Sequence, residues 1–169
     1  MKQKIAAVLA VLMLAFSQLA AAAGINQISA DDHVLQNDEI ALGGIMVGTL
    51  RSEVEAIYGA PTERTEPVKG AMFGEMMDTY TYGTSFQVIF VKDTAMYVIT
   101  TAHNGIATPA GVSVGDPADK VMRTYGKPHR YTQNESGKES FVYRDAREVA
   151  IVFSAENGVI TRIGIVGAE

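Results

Sequence analysis

Gly44-Ile-Met-Val-Gly-Thr-Leu-Arg-Ser-Glu-Val-Glu-Ala-Ile-Tyr-Gly-Ala-Pro61 aligns without a gap to Gly111-Val-Ser-Val-Gly-Asp-Pro-Ala-Asp-Lys-Val-Met-Arg-Thr-Tyr-Gly-Lys-Pro128, 67 residues further along the chain. Seven of these 18 positions are identical: Gly44/Gly111, Val47/Val114, Gly48/Gly115, Val54/Val121, Tyr58/Tyr125, Gly59/Gly126 and Pro61/Pro128. An internal repeat governs the fold. Gly48 and Gly115 mark a turn, and Thr49 and Asp116 stand next to it where an N-cap belongs. Pro117 occupies the first helical position. Leu50, Val54, Ile57 and Tyr58 then form one apolar stripe, and Ala118, Val121, Met122 and Tyr125 form its equivalent. Gly59 and Gly126 supply the left-handed residue after the helix, and Pro61 and Pro128 prevent its continuation. A helix this short is marginal in water, so it must pack on a sheet.

Residues 79–82, 85–91 and 95–101 have strand character, and so do 140–144, 148–154 and 159–166. Tyr82 matches Tyr143, Phe90 matches Phe153, and Asn157-Gly158 is the strongest hairpin signal in the chain. The expected fold is α+β, with two tandem repeats, each a short helix packed on a three-stranded antiparallel meander sheet. The organisation expected is a signal peptide at 1–23, a poorly ordered leader at 24–39, repeat 1 at 40–104 and repeat 2 at 105–169.

A Gly-capped helix ending in Gly-x-Pro, followed by a polar loop and Tyr- and Phe-containing strands, resembles the repeat of the SmpA/BamE-like outer-membrane assembly factors. Doubled, it resembles the β-lactamase inhibitor protein (BLIP-like) group. The resemblance implies a non-enzymatic, exported module that presents a sheet face to another macromolecule. The chain has no Cys, and therefore neither the lipobox of the first group nor the disulfides of the second.

Met1-Lys2-Gln3-Lys4, the apolar stretch Ile5 to Phe16 and the alanines 20–23 read as a secretory signal. Its apolar run is shorter than the roughly 18 residues a span requires. Removing Lys2 and Lys4 leaves 12 basic residues against 19 acidic ones, a net charge of −7. That acidity argues against nucleic acid and against stable membrane association after signal cleavage. The absence of Cys excludes disulfides, thiolate zinc sites and thiol nucleophiles. With 47% apolar residues the chain can bury a core.

Gly111-Val-Ser113-Val-Gly115 matches the G-x-S-x-G nucleophile pattern. Met46 stands in place of Ser113 in the first copy, so the glycines belong to the repeat's turn. His33, His103 and His129 lack a second ligand at helical spacing, and Asp31-Asp32-His33 lies in the leader. No catalytic residue, metal ligand or cofactor site is assigned. Candidate binding residues are Met72, Phe73 and Met76 of the 68–79 loop, with Tyr80, Tyr97 and Tyr131, since thioethers and aromatics suit a contact surface. The loop either meets a partner or seals the junction between copies. The expected function is a periplasmic or secreted binding module for a protein or ligand partner. The alternatives are a structural envelope component and a hydrolase using Ser113.

Overall fold

The computed structural model describes residues 34–70 and 74–167. Two helices, α1 (Arg51–Tyr58) and α2 (Asp119–Tyr125), accompany nine strands. The strands are β1 (Glu63–Arg64), β2 (Val68–Lys69), β3 (Met76–Tyr82), β4 (Phe86–Val91), β5 (Thr94–Thr100), β6 (Arg130–Gln133), β7 (Lys138–Arg144), β8 (Ala150–Glu156) and β9 (Val159–Val166). All nine belong to one antiparallel sheet ordered β1-β3-β4-β5-β9-β8-β7-β6, with β2 also paired to β3.

The expectation of two tandem repeats, each with its own helix and three-stranded meander, is therefore corrected. Tyr97–Thr100 of β5 pairs with Ile163–Val166 of β9, which fuses the strands into a single sheet. An isolated meander would leave the outer backbone groups of its third strand unpaired, and the β5–β9 ladder satisfies both such edges at once. β1, β2 and β6 also enlarge the sheet. They are short, and only Tyr131 and Val68 interrupt their polar residues, so no hydrophobic period announces them.

Local structure recurs around the two motif copies. The Gly48 N–H donates to the Ala95 carbonyl at 2.8 Å, and the Gly115 N–H donates to the Ile160 carbonyl at 2.8 Å. Arg51 N–H meets Asp93 O and Ala118 N–H meets Gly158 O, again at 2.8 Å in both cases. Each pre-helix turn is thus clamped to the hairpin that follows it, β4–β5 in one case and β8–β9 in the other. Thr49 and Asp116 do not cap the helices. Their oxygens accept from the N–H groups of Met46 (3.0 Å) and Ser113 (2.8 Å), closing the turn behind them, and the helices start at Arg51 and Asp119. Asn157 and Gly158 adopt φ 53° and 77°, as a tight Asn-Gly hairpin turn requires.

Both helices pack on one face of the sheet. Val54, Tyr58, Val121 and Tyr125 meet Phe86, Val88, Phe90, Phe141, Tyr143, Ile151, Phe153, Ile163 and Ile165 in the main core. Leu50, Ile57 and Met122, expected in the apolar stripes, are exposed. Leu50 precedes α1 instead of lying within it, and a helix of two turns touches the sheet along a narrow arc, which Val54 and Tyr58 of α1 and Val121 and Tyr125 of α2 occupy while their neighbours Ile57 and Met122 point away. Leu35, at the end of the expected leader, is buried and donates its N–H to the Arg144 carbonyl at 3.1 Å. The expected signal peptide lies outside the described residues.

Candidate binding surface

The residues named from sequence are distributed over three places. Tyr80 is buried beneath α1, where its hydroxyl donates to Glu55 Oε1 at 2.9 Å. Tyr131 lies on the same face at the far edge, half-buried against Phe141, and donates to Glu139 Oε1 at 2.7 Å. Burial and this carboxylate push its phenol up to about 12. Tyr97 is on the opposite face, in a second buried cluster with Met77, Ile89 and Ile99. Met76 stands on the hairpin formed by β2 and β3 and is 51% exposed. Met72 and Phe73, like Asp31, Asp32 and His33, lie outside the described residues. Of the turn residues, Gly48, Gly59, Gly115 and Gly126 have φ of 90°, 73°, 96° and 73°, while Pro61 is half-buried and Pro128 buried.

Beneath α1 an ionic cluster surrounds Tyr80. Arg51 grips the buried carboxylate of Asp78 with two hydrogen bonds, of 2.7 and 2.8 Å, and also reaches Asp93 at 3.1 Å. Its guanidinium lies 4.8 Å from the Tyr80 ring centroid and 4.2 Å from that of Phe90. Arg64 adds a 3.2 Å contact to Asp78. The Asp78 hydrogen bonds raise the Arg51 guanidinium above its ordinary range, so it stays charged. These charges satisfy one another within the fold. Sequence reading missed the cluster, because 27 residues separate Arg51 from Asp78 and only the β3–β4–β5 register places them together.

Ser113 donates its hydroxyl to Asp116 Oδ2 at 3.3 Å, and Lys120 Nζ meets the same oxygen at 2.8 Å. Hydrogen bonds from Lys120 and from the Ser113 backbone hold that carboxylate below its ordinary range, which makes it a weak base. His103 Nδ1 contacts the Val114 carbonyl at 2.8 Å, whereas His129 Nδ1 accepts from the Arg144 N–H at 3.2 Å. Neither imidazole is a partner of Ser113. Among the described residues there is no group of three or more His, Cys, Asp or Glu that could hold a metal.

Two surface features remain. The first is the arm made by β2 and β3, where Val68 pairs with Met77 and Lys69 with Met76. Alternation puts Val68 and Met76 on opposite faces of the arm, and both are exposed, at 37% and 51%. Gly70 and Glu75 close it with a 2.9 Å backbone bond, and Lys92 ties Glu75 to the β4–β5 turn at 3.2 Å. The second is the sheet face turned away from both helices. Its β3–β5 portion is apolar and, Val91 apart, buried, with Met77, Ile89, Val91, Tyr97 and Ile99, and its β6–β9 portion is mixed, with Arg130, Thr132, Ser140, Val142, Val152, Ser154 and the largely buried Arg162. Desolvation lowers the Arg162 guanidinium from its ordinary value.

No known protein family matches the chain, and no curated protein does. Among solved structures, the chain is similar to a cysteine-rich secretory protein from Staphylococcus aureus, at 12% identity and TM-score 0.53, over 80% of this chain and 50% of that one. It is also similar to an extracellular protein containing an SCP domain from Bacillus anthracis, at 8% identity and TM-score 0.49, over 83% and 50% of the two chains. A DUF4309 family protein from Bacillus subtilis matches at 15% identity and TM-score 0.41, over 71% and 79%. The chain spans about half the length of the first two. Those two are described as secretory and extracellular proteins, and no described helix of this chain is long and apolar enough to cross a membrane.

Proposed function

We propose that residues 24–169, released from the signal peptide, form an exported, non-enzymatic binding module that engages a protein partner in the cell envelope or medium. Contact is made through the β2–β3 arm and the half-buried β6–β8 part of the sheet face turned away from the helices. The observation that carries this reading is the arm, which holds an apolar side chain in solvent on each of its faces, Val68 on one and Met76 on the other. This edge of the sheet, where Met77 also pairs with Val91 of β4, gains nothing for folding by exposing both, whereas a partner closing over it buries both. Export rests on the pattern of residues 1–23, and the Staphylococcus aureus protein of similar fold is described as secretory.

The test is capture with immobilised 24–169 from envelope and culture-medium fractions of the native host, alongside Val68→Ser/Met76→Ser. The double variant is expected to stay within about 1 kcal/mol of the parent in denaturant unfolding, as exposed substitutions do, while losing at least about tenfold in capture. Equal capture by parent and variant, or no specific capture by the parent, overturns the reading.

A further inference from the structure

The two ends of the sheet are built differently. At one end β3 is flanked by β1 and β2, of two residues each, with Pro67 between them and Glu63, Arg64, Glu66 and Lys69 along the edge. Short strands, proline and charge keep an edge from pairing with another chain. At the other end stands β6, Arg130-Tyr131-Thr132-Gln133, which runs beside β7 without a register shift. It has no proline and a single charge, and Tyr131 and Thr132 favour a strand. None of the devices that guard the first edge is present on it.

The Asn134 N–H donates to the Lys138 carbonyl at 3.0 Å, which fixes the phase of the β6–β7 ladder. Bonding alternates along antiparallel strands, so Arg130 and Thr132 bond to β7, and the N–H and C=O groups of Tyr131 and Gln133 point away from it. The far side of β7 agrees. There the Asp145 N–H donates to the Val149 carbonyl at 3.0 Å, so odd-numbered residues of β7 face β8 and even-numbered ones face β6. Among the described residues, no strand lies beyond β6 to meet the outward groups of Tyr131 and Gln133.

We propose that β6 pairs antiparallel with β6 of a second copy of this chain, about a two-fold axis at Thr132, which joins two sheets edge to edge. A two-fold axis sets one residue opposite its own copy. With Thr132 at the centre, Tyr131 of each copy exchanges both its bonds with Gln133 of the other, so every outward group of both strands is satisfied. With Tyr131 or Gln133 at the centre, one of the two faces itself and the other faces residues outside the strand. The Thr132 register also sets Arg130 opposite Asn134 of the second copy and keeps the two guanidinium groups apart. Glu135, in the turn after β6, comes level with His129 of the second copy. The Nδ1 of that imidazole already accepts from the Arg144 N–H at 3.2 Å, which leaves Nε2 to donate to the carboxylate. The pairing lies in the plane of the sheet, so it goes beyond the binding-module reading without obstructing it: two outer faces stand open side by side.

Sedimentation equilibrium of 24–169 at physiological salt, from about 10 µM to about 500 µM, covers the range in which a small interface associates. A reversible monomer–dimer equilibrium is expected. Gln133→Pro removes an outward N–H and none of the β6–β7 bonds, so it should keep the fold, as read by thermal melting, and weaken the dimer at least about tenfold. Val68→Ser/Met76→Ser, at the other edge, should leave the dimer unchanged. Because the chain has no Cys, an introduced one reads the register. Thr132→Cys should cross-link to its own copy under mild oxidation, since directly opposed residues of this kind lie about 4.5 Å apart between Cα atoms. The two copies of Arg130→Cys lie about 13 Å apart along the strands and should not cross-link. A monomer throughout the range overturns the proposal, as does a dimer that survives in folded Gln133→Pro or is lost in Val68→Ser/Met76→Ser. Arg130→Cys cross-linking as fast as Thr132→Cys overturns it too, and this comparison decides alone if Gln133→Pro does not fold.

Discussion

Gly59 and Gly126 leave their helices at φ 73°, with ψ −157° and −149°. This is neither the αL conformation of a common helix end nor any other region open to a side chain; it is essentially reserved for glycine. A Cβ placed on either residue would meet nothing within 4 Å. The cost of a side chain there is therefore purely one of backbone strain. Gly126→Ala should destabilise by about 1–3 kcal/mol, measured by the denaturant midpoint at unchanged slope. A cost near zero would mean that the position tolerates an ordinary residue and that its recurrence in both motif copies has another origin. Positive φ at these glycines was legible in the sequence because the Tyr-Gly-x-Pro pattern occurs twice. The ψ values were not, since they depend on how each chain exit is held against the sheet.

At the scale of elements, each short helix is locked to the sheet by tyrosines. Tyr58 sits 5.2 Å from Tyr82, and Tyr125 sits 5.4 Å from Tyr143, measured between ring centroids. Tyr143 donates to the Gly126 carbonyl at 2.8 Å and Tyr125 to Thr108 Oγ1 at 2.7 Å, while Tyr58 donates to the Gly43 carbonyl at 2.5 Å. Burial raises the phenols of Tyr58, Tyr125 and Tyr143, and it is the first cause that pushes Tyr82 up to about 12. Tyr131, at the sheet edge, reaches the same value. In the unfolded chain these groups ionise near pH 10. The folded chain keeps their protons longer, so the stability they contribute is complete below about pH 10 and is lost as pH rises through about 12. The melting temperature should be nearly level from about pH 8 to 10 and fall steeply above that. Tyrosinate absorbance of the folded chain should rise at higher pH than that of the denatured chain. A folded-state titration centred near pH 10 contradicts this account.

At the scale of the whole molecule, the β5–β9 ladder decides cooperativity. Val98 and Ile165 face each other across it and belong to the same core cluster as Val54 of α1 and Val121 of α2. Residues on both sides of this ladder thus share one apolar interior, and neither side can unfold without uncovering the other. Equilibrium unfolding of 24–169 should be a single transition, coincident by far-ultraviolet circular dichroism and by tyrosine fluorescence. Residues 34–104 alone, with the β5 edge unpaired, should show no cooperative transition. Two resolved transitions in the full chain, or a cooperative fold in the fragment, would show that the ladder joins units already stable by themselves.

Local chemistry alone determined a great deal. Glycine and proline punctuation located α1 and α2, β-branched and aromatic runs located β3–β5 and β7–β9, and Asn157-Gly158 located a hairpin. These signals act within a few residues, through steric limits on φ and ψ and through burial on a strand of period two. What the tertiary structure decided is how the strands meet. The separate three-stranded sheets expected from sequence gave way to one nine-stranded sheet, because unpaired backbone edges cannot be seen in a side-chain pattern. The same limit hid the Arg51–Asp78 cluster and the arm that carries Val68 and Met76. Each is an alignment of residues distant along the chain, produced by strand register, and register is set by pairings that form only when the whole sheet does.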